Sequence, residues 1–129
     1  LENANNIKFL GYKKGEELFS IIRNCSFVIV PSEWYENNPL TIIEAFSYGK
    51  PVIGSEIGGI PELIKNEETG FTFEMKNTTQ LTHLIEKSSK MSEVCYKSMS
   101  NKARKLAELN FCPDAHYTKL INIYKEVLK

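Results

Sequence analysis

The chain has 129 residues, of which 42% are hydrophobic, a size and composition that fit one globular domain with one core. Its 16 basic and 16 acidic residues give a formal net charge of zero, so no overall field favours nucleic acid or an anionic membrane as a partner. The three cysteines lack CxxC spacing, which argues against a disulfide framework or a zinc site and favours the reducing cytoplasm.

Alternating strands and helices are predicted along the first half of the chain. Short apolar runs predict the strands, and two of these runs are rich in β-branched residues, as is typical of strands covered on both faces. The predicted strands are residues 7–10, 27–30, 51–55 and 71–73. The predicted helices are residues 16–24, a helix from Pro39 to the stop at Gly49, and a short helix ending near Ile64.

Helical spacing of apolar residues dominates the second half of the chain. It predicts three helices, centred on residues 81–85, 95–106 and 117–128, and Pro113 suits the first position of the last one. Strands separated by helices imply right-handed crossovers and a parallel sheet, with ligands bound beyond the carboxyl ends of the strands. The prediction is therefore one α/β domain over residues 1–129, with about four parallel strands flanked by helices and a helical C-terminal tail.

No run approaches the roughly 18 to 20 apolar residues of a membrane-spanning helix. The first residues, Leu-Glu-Asn-Ala-Asn-Asn, do not resemble a signal peptide, and they lack an initiating methionine. We therefore expect the sequence to be a piece of a longer chain.

The densest set of candidate site residues lies in a polar loop that runs into an apolar helix, at residues 31–45. Glu36 lies in the loop and Glu44 on the helix, with seven residues between them. Pro39 suits the first helical position, which makes Asn38 the predicted N-cap. The first backbone N–H groups of that helix would then point outward, where the helix dipole favours an anion such as a diphosphate.

Apolar residues are expected to cover most of this helix, leaving Thr41, Glu44 and Tyr48 on one narrow stripe. The helix is therefore predicted to be largely buried, and Glu44 would need a polar partner because an unpaired Glu is almost never fully buried. The alternative is structural, with Glu36 a solvated loop acid and Glu44 a helix acid facing solvent.

A set of short motifs, taken together, resembles one family. They are Pro31-Ser32, Glu36 to Leu40, Glu44-Ala45, Gly49 to Ile53, Gly58-Gly59-Ile60-Pro61-Glu62, Gly70, and Asn110 to Pro113. In this combination the chain, from about Ile7 to its end, resembles the C-terminal, Rossmann-like, nucleotide-sugar-binding domain of the retaining GT-B glycosyltransferases of family 4, the glycosyl transferases group 1. The family's E-x7-E motif matches Glu36 and Glu44.

The resemblance implies a role for each matching position. Glu44 would bind the ribose hydroxyls of a nucleoside diphosphate sugar, and Glu36 would contact the donor sugar and stabilise positive charge at its anomeric centre. Gly11 and Tyr12 match the region that cradles the nucleobase. The residues that match the loop and helix start meeting the sugar and the diphosphate are Asn37, Asn38, Leu40 and Thr41.

The resemblance also implies catalysis without a metal or another cofactor. Transferases that use a divalent ion hold it with an Asp-x-Asp motif, and this chain has a single aspartate, Asp114. The family's diphosphate-binding Arg and Lys precede the segment matching residues 7–10, and they are absent here, as is the N-terminal domain that binds a glycan or lipid-linked acceptor. The isolated chain is therefore expected to be inactive. The full-length protein is expected to be cytoplasmic, and peripheral membrane association is an open alternative.

Two other functions stay open at this point. One is a nucleotide-sugar 2-epimerase of the same fold, and the other is a non-catalytic nucleotide-binding module. Two smaller motifs each have a structural and a functional interpretation. Gly58-Gly59 is either a plain turn or part of the donor site. Trp34-Tyr35 either stack on a sugar or cover the loop. His83 and His116 are expected to be structural or surface residues.

Overall fold

The computed structural model describes residues 6–128, and its sheet and helices follow the predicted order. The strands are β1 (Val28–Val30), β2 (Val52–Ser55) and β3 (Gly70–Phe73). The helices are α1 (Gly15–Asn24), α2 (Leu40–Ser47), α3 (Ile60–Leu63), α4 (Thr78–Ser89), α5 (Glu93–Asn110) and α6 (Pro113–Val127). The α/β class, the parallel sheet with flanking helices and the helical C-terminal tail are thus confirmed.

The sheet has three strands within the described residues, in the order β1-β2-β3, and both pairings are parallel. The prediction of about four strands was wrong because residues 7–10 form no strand. Ile7, Phe9 and Leu10 are exposed, and no strand of the described part of the chain lies beside them. A strand needs a neighbouring strand to accept and donate its backbone hydrogen bonds, and this segment has none among the described residues.

The central strand β2 is buried on both faces, as its continuous apolar run predicts. On one face, Val52 packs in a core with Ile42 and Phe46 of α2 and with Ala103 of α5. On the other face, Ile53 belongs to a second core, whose other members are Phe71, Phe73 and Met99, with Leu81 and Leu84 of α4 packed against it. Because successive strand residues point to opposite faces, one strand anchors both layers.

Helix α5 fixes the carboxyl end of α2. The Ser100 hydroxyl donates a hydrogen bond of 2.6 Å to the carbonyl of Gly49, and the Arg104 guanidinium donates to the carbonyl of Ser47. A cation at the last carbonyls of a helix also complements its dipole. α2 is therefore held at its far end, while its first turn lies at the carboxyl end of the sheet.

Among the helices that the structure describes, none is both long enough and apolar enough to cross a membrane.

Candidate functional site

The loops that follow the three strands meet at the carboxyl end of the sheet. The loop after β1 carries Glu36 and leads into α2, and the loop after β2 carries Gly58 and Gly59. The loop after β3 carries Lys76, whose ammonium lies 3.4 Å from the carboxylate of Glu33. Ligands of parallel α/β sheets bind at this end. The predicted site residues after β1 therefore lie where the fold places a binding site.

The Glu36 loop rests directly on the backbone of the turn after β2. The Gly59 N–H donates to the Glu36 carbonyl at 2.7 Å. A Cβ on Gly58 would lie 2.6 Å from that carbonyl oxygen, and a Cβ on Gly59 would lie 2.2 Å from the carbonyl oxygen of Asn37. Any side chain at these positions would push the loop away. Gly58-Gly59 is therefore more than a plain turn, because it sets the position of the loop.

The Glu36 side chain is half-buried and has a defined partner. The Ser32 hydroxyl donates to Glu36 Oε1 at 2.9 Å. The carbonyl of Ser32 in turn accepts a hydrogen bond of 2.6 Å from the hydroxyl of Ser55, which is 1% exposed at the end of β2. A chain of contacts thus runs from the buried core to the candidate carboxylate.

Sequence reasoning assigned no role to these two serines, although Pro31-Ser32 was part of the recognised pattern. Nothing in local sequence pairs Ser32 with Ser55, because 23 positions separate them. Ser55 itself could have indicated such a contact, because it is a polar residue at the end of an apolar strand that is predicted to be buried. A buried hydroxyl needs a hydrogen-bond partner.

The first turn of α2 is capped differently from the prediction. Pro39 is the N-cap rather than the first helical residue, and no side chain caps the helix. Asn38 is exposed and makes no cap, so that prediction was wrong. The first bond into the helix runs from the Ile42 N–H to the Pro39 carbonyl at 3.1 Å, which makes Pro39 the N-cap, and the Asn38 side chain accepts no bond from the first turn. Within the described residues, the N–H groups of Leu40 and Thr41 donate no hydrogen bond, so the helix start retains free donors.

Glu44 is exposed, so the prediction of a largely buried helix with a buried acid was wrong on this side. Ile42, Ala45 and Phe46 are fully buried, and Thr41 and Glu44 face solvent. The helix packs against α5 and the sheet through the side that carries these three residues, and Glu44 lies on another side. An exposed carboxylate needs no partner, so burial by itself gives Glu44 no role, and a role for it rests on its place beside the free helix start.

Tyr48, which the sequence places on the same stripe of α2 as Thr41 and Glu44, contacts α1. Its ring lies 6.0 Å from the ring of Phe19 and 5.7 Å from the Arg23 guanidinium. Tyr48 is therefore part of the contact between α1 and α2.

The structure brings most of the predicted site residues together on the loop and first turns of α2. Those six are Glu36, Asn37, Asn38, Leu40, Thr41 and Glu44. Gly11 and Tyr12 lie in the coil before α1, and no hydrogen bond in the described part of the chain joins them to the loop. Tyr12 is 89% exposed, and Trp34 and Tyr35, beside Glu36, are 80% and 88% exposed. These rings are therefore free to contact a ligand.

The histidines occupy surface positions, as expected. His83 and His116 are both exposed. Among residues 6–128, no group of three or more His, Cys, Asp or Glu side chains is arranged to hold a metal ion.

Comparison with known proteins identifies a family. The family model described as "Glycosyl transferases group 1" matches residues 1–106. An uncharacterized glycosyltransferase of Methanocaldococcus jannaschii is 34% identical over 83 residues, which is 64% of this chain and 23% of that protein. N-acetyl-alpha-D-glucosaminyl L-malate synthase of Bacillus anthracis is 28% identical over 129 residues, covering 100% of this chain and 33% of that protein.

Solved structures show the same fold. A glycosyltransferase from Rickettsia africae superimposes with a TM-score of 0.80 at 30% identity, over 92% of this chain and 31% of that one. The Anabaena protein HepE, crystallised with UDP-glucose, superimposes with a TM-score of 0.80 at 22% identity, over 95% of this chain and 33% of that one. The fold is that of a GT-B glycosyltransferase domain. The chain spans a third or less of the length of each of these proteins.

Proposed function

This chain belongs to the glycosyl transferases group 1 family, and from that premise we propose that it is the donor-binding part of a retaining glycosyltransferase of family 4. In the full-length protein it would bind a nucleoside diphosphate sugar and present the sugar for transfer to a glycan or a lipid-linked acceptor. It would be the C-terminal domain of that protein, with the acceptor bound by an N-terminal domain.

The observation that carries the proposal is the pairing of an open helix start with two carboxylates. The N–H groups of Leu40 and Thr41 have no partner within the described residues, and no side chain caps the helix. Free donors at the positive end of a helix dipole favour a diphosphate. Glu36 precedes this helix start and Glu44 follows it by one turn, so sugar and ribose can each be met by an acid while the diphosphate lies between them.

Each predicted role fits the exposure of its residue. Glu44 is exposed and can accept hydrogen bonds from ribose hydroxyls, while Glu36 is half-buried and can face positive charge developing at the anomeric carbon. Asn37 and Asn38 are exposed beside them and are assigned to the sugar and the diphosphate. Gly11 and Tyr12 are assigned to the nucleobase, for which an exposed ring offers a stacking face.

We further propose that the reaction needs no metal or other cofactor, because helix donors and basic groups outside this chain stabilise the leaving diphosphate. The 129 residues alone should not transfer sugar, and calorimetry should show at best weak binding of UDP, GDP or ADP. Submicromolar binding would contradict the need for upstream cations. The full-length protein is proposed to act in the cytoplasm, and membrane contact would be peripheral.

The test uses the full-length protein with UDP-glucose, GDP-glucose and ADP-glucose, and measures the release of nucleoside diphosphate. Glu36→Gln should lower kcat by about 100-fold or more with little change in donor KM, since it removes charge that matters in the transition state. Glu44→Gln should instead weaken binding of the nucleoside diphosphate by about 1 to 3 kcal/mol, through a lost charge-assisted hydrogen bond.

Glu68→Gln is the matched control, because Glu68 is exposed in the loop that precedes β3, at the opposite end of the sheet. It should behave as the unaltered protein does. If Glu36→Gln weakened nucleotide binding and Glu44→Gln lowered kcat, the two acids would have each other's role. If neither substitution had an effect, neither acid would belong to the donor site.

A further inference from the structure

We infer that Ser32 is a positioning residue for Glu36, an assignment that rests on the proposed transfer function. Its hydroxyl holds one oxygen of the carboxylate in place, and Ser55 fixes Ser32 to the sheet. The structure thereby links the candidate catalytic acid to the buried core through two uncharged serines.

The Ser32 hydroxyl is hydrogen-bonded both as an acceptor and as a donor. Its Oγ accepts the N–H of Trp34 at 3.3 Å and lies 2.9 Å from Glu36 Oε1. An ionised carboxylate can only accept, so the single hydroxyl proton of Ser32 points at Glu36. A carbonyl at 3.4 Å, that of Trp34, is the more distant competing acceptor. Ser32 therefore orders both the turn of the loop and the acid within it.

The support behind Ser32 is rigid. Ser55 is 1% exposed, and it closes β2, which pairs with strands on both sides. Its hydroxyl donates to the Ser32 carbonyl at 2.6 Å, and this bond ties the loop after β1 to the end of the neighbouring strand. Gly59 holds the other side of the loop through its bond to the Glu36 carbonyl. The backbone of Glu36 is thus fixed from one side and its side chain from the other.

The consequence concerns turnover more than binding. Ser32 takes Oε1, and within residues 6–128 no hydrogen bond is made to Oε2, which leaves that oxygen for the donor sugar. A Glu side chain has three rotatable bonds, so loss of the Ser32 contact lets the carboxylate leave its productive position. The diphosphate donors of α2 do not involve Ser32 and should be unaffected.

The test is steady-state kinetics of the full-length protein with whichever of UDP-glucose, GDP-glucose and ADP-glucose it turns over fastest. Ser32→Ala should lower kcat about 10- to 100-fold, as expected for a misplacement on the order of 1 Å, while donor KM changes less than about twofold. Ser32→Thr keeps the hydroxyl and should restore most of the activity. The double variant Ser32→Ala with Glu36→Gln should be no slower than Glu36→Gln alone, because the serine acts through that acid.

Ser100→Ala serves as the control for losing a serine hydroxyl, since Ser100 makes a bond of 2.6 Å to the Gly49 carbonyl at the far end of α2. It should leave kcat unchanged. If Ser32→Ala turns over normally while Glu36→Gln is impaired, the role of Ser32 is overturned and the proposed function stands. Additive losses in the double variant would also overturn it. If Glu36→Gln itself has no effect on kcat, the proposed catalytic role of Glu36 is refuted, and so is the positioning role of Ser32, which depends on it.

Discussion

Replacing Gly59 by Ala tests whether two backbones in close contact set the position of Glu36. Gly59 has φ −79°, which any residue adopts, so the substitution introduces a steric change without backbone strain. The Asn37 carbonyl oxygen would have to retreat from 2.2 Å to at least 3.0 Å from the new Cβ. The hydrogen bond from Gly59 N–H to the Glu36 carbonyl, 2.7 Å long, would lengthen or break.

Two contributions give the expected size of the effect. Overpacking costs about 1 to 3 kcal/mol and the lost hydrogen bond about 1 kcal/mol, so the free energy of unfolding should fall by about 2 to 4 kcal/mol. In urea this corresponds to a midpoint lower by about 1 to 2 M for an m-value of about 2 kcal/mol/M. If the proposed transfer function holds, a loop displaced on the order of 1 Å should also lower kcat of the full-length protein by about 100-fold.

Urea unfolding of the chain followed by circular dichroism, and donor turnover by the full-length protein, measure the two effects. Gly15→Ala is the control, because Gly15 has φ +56° and a Cβ there would meet nothing within 4 Å. That variant should cost about 1 to 2 kcal/mol from backbone strain and leave kcat unchanged. Normal turnover by Gly59→Ala would refute the idea that the glycine contact places the acid.

Two further predictions concern other parts of the fold. Asn77→Ala should lower the free energy of unfolding by about 1 kcal/mol, because the Asn77 side chain caps α4 by accepting the Gln80 N–H at 3.0 Å. An unchanged urea midpoint would show that this cap does not stabilise the fold. Iodoacetamide at pH 8, followed by mass spectrometry, should label the exposed Cys95 well before Cys25, because burial raises the pKa of the Cys25 thiol and reduces its thiolate fraction. Equal labelling rates would show that Cys25 is as accessible as Cys95.

The sequence predicted most of the secondary structure. The apolar β-branched runs located β1 and β2, because strands covered on both faces leave no polar alternation. Pro113 marked the start of α6 and Gly49 the end of α2, since each residue restricts the backbone locally. Residues 7–10 were the exception, because an apolar run forms a strand only when another strand pairs with it, and pairing is not a local property.

Some features of the candidate site could likewise be predicted from the sequence, and others could not. The position of the Glu36 loop at the carboxyl end of a parallel sheet followed from the order of strands and helices along the chain. The exposure of Glu44 did not follow, because the apolar residues of α2 surround it in projection, and only the packing of α5 and the sheet decides which side is covered.

By itself, the sequence determined the α/β class, the parallel sheet, the acids on either side of a helix start, and a family pattern spread over most of the chain. Only the tertiary structure decided that the helix start is uncapped, that Gly58-Gly59 rests on the loop backbone, and that Ser55 and Ser32 hold Glu36. The reason is physical: propensities and periodicity act over a few neighbouring residues, whereas the contacts of Ser55 with Ser32 and of Gly59 with Glu36 join positions more than 20 residues apart, which meet only when β1 and β2 pair.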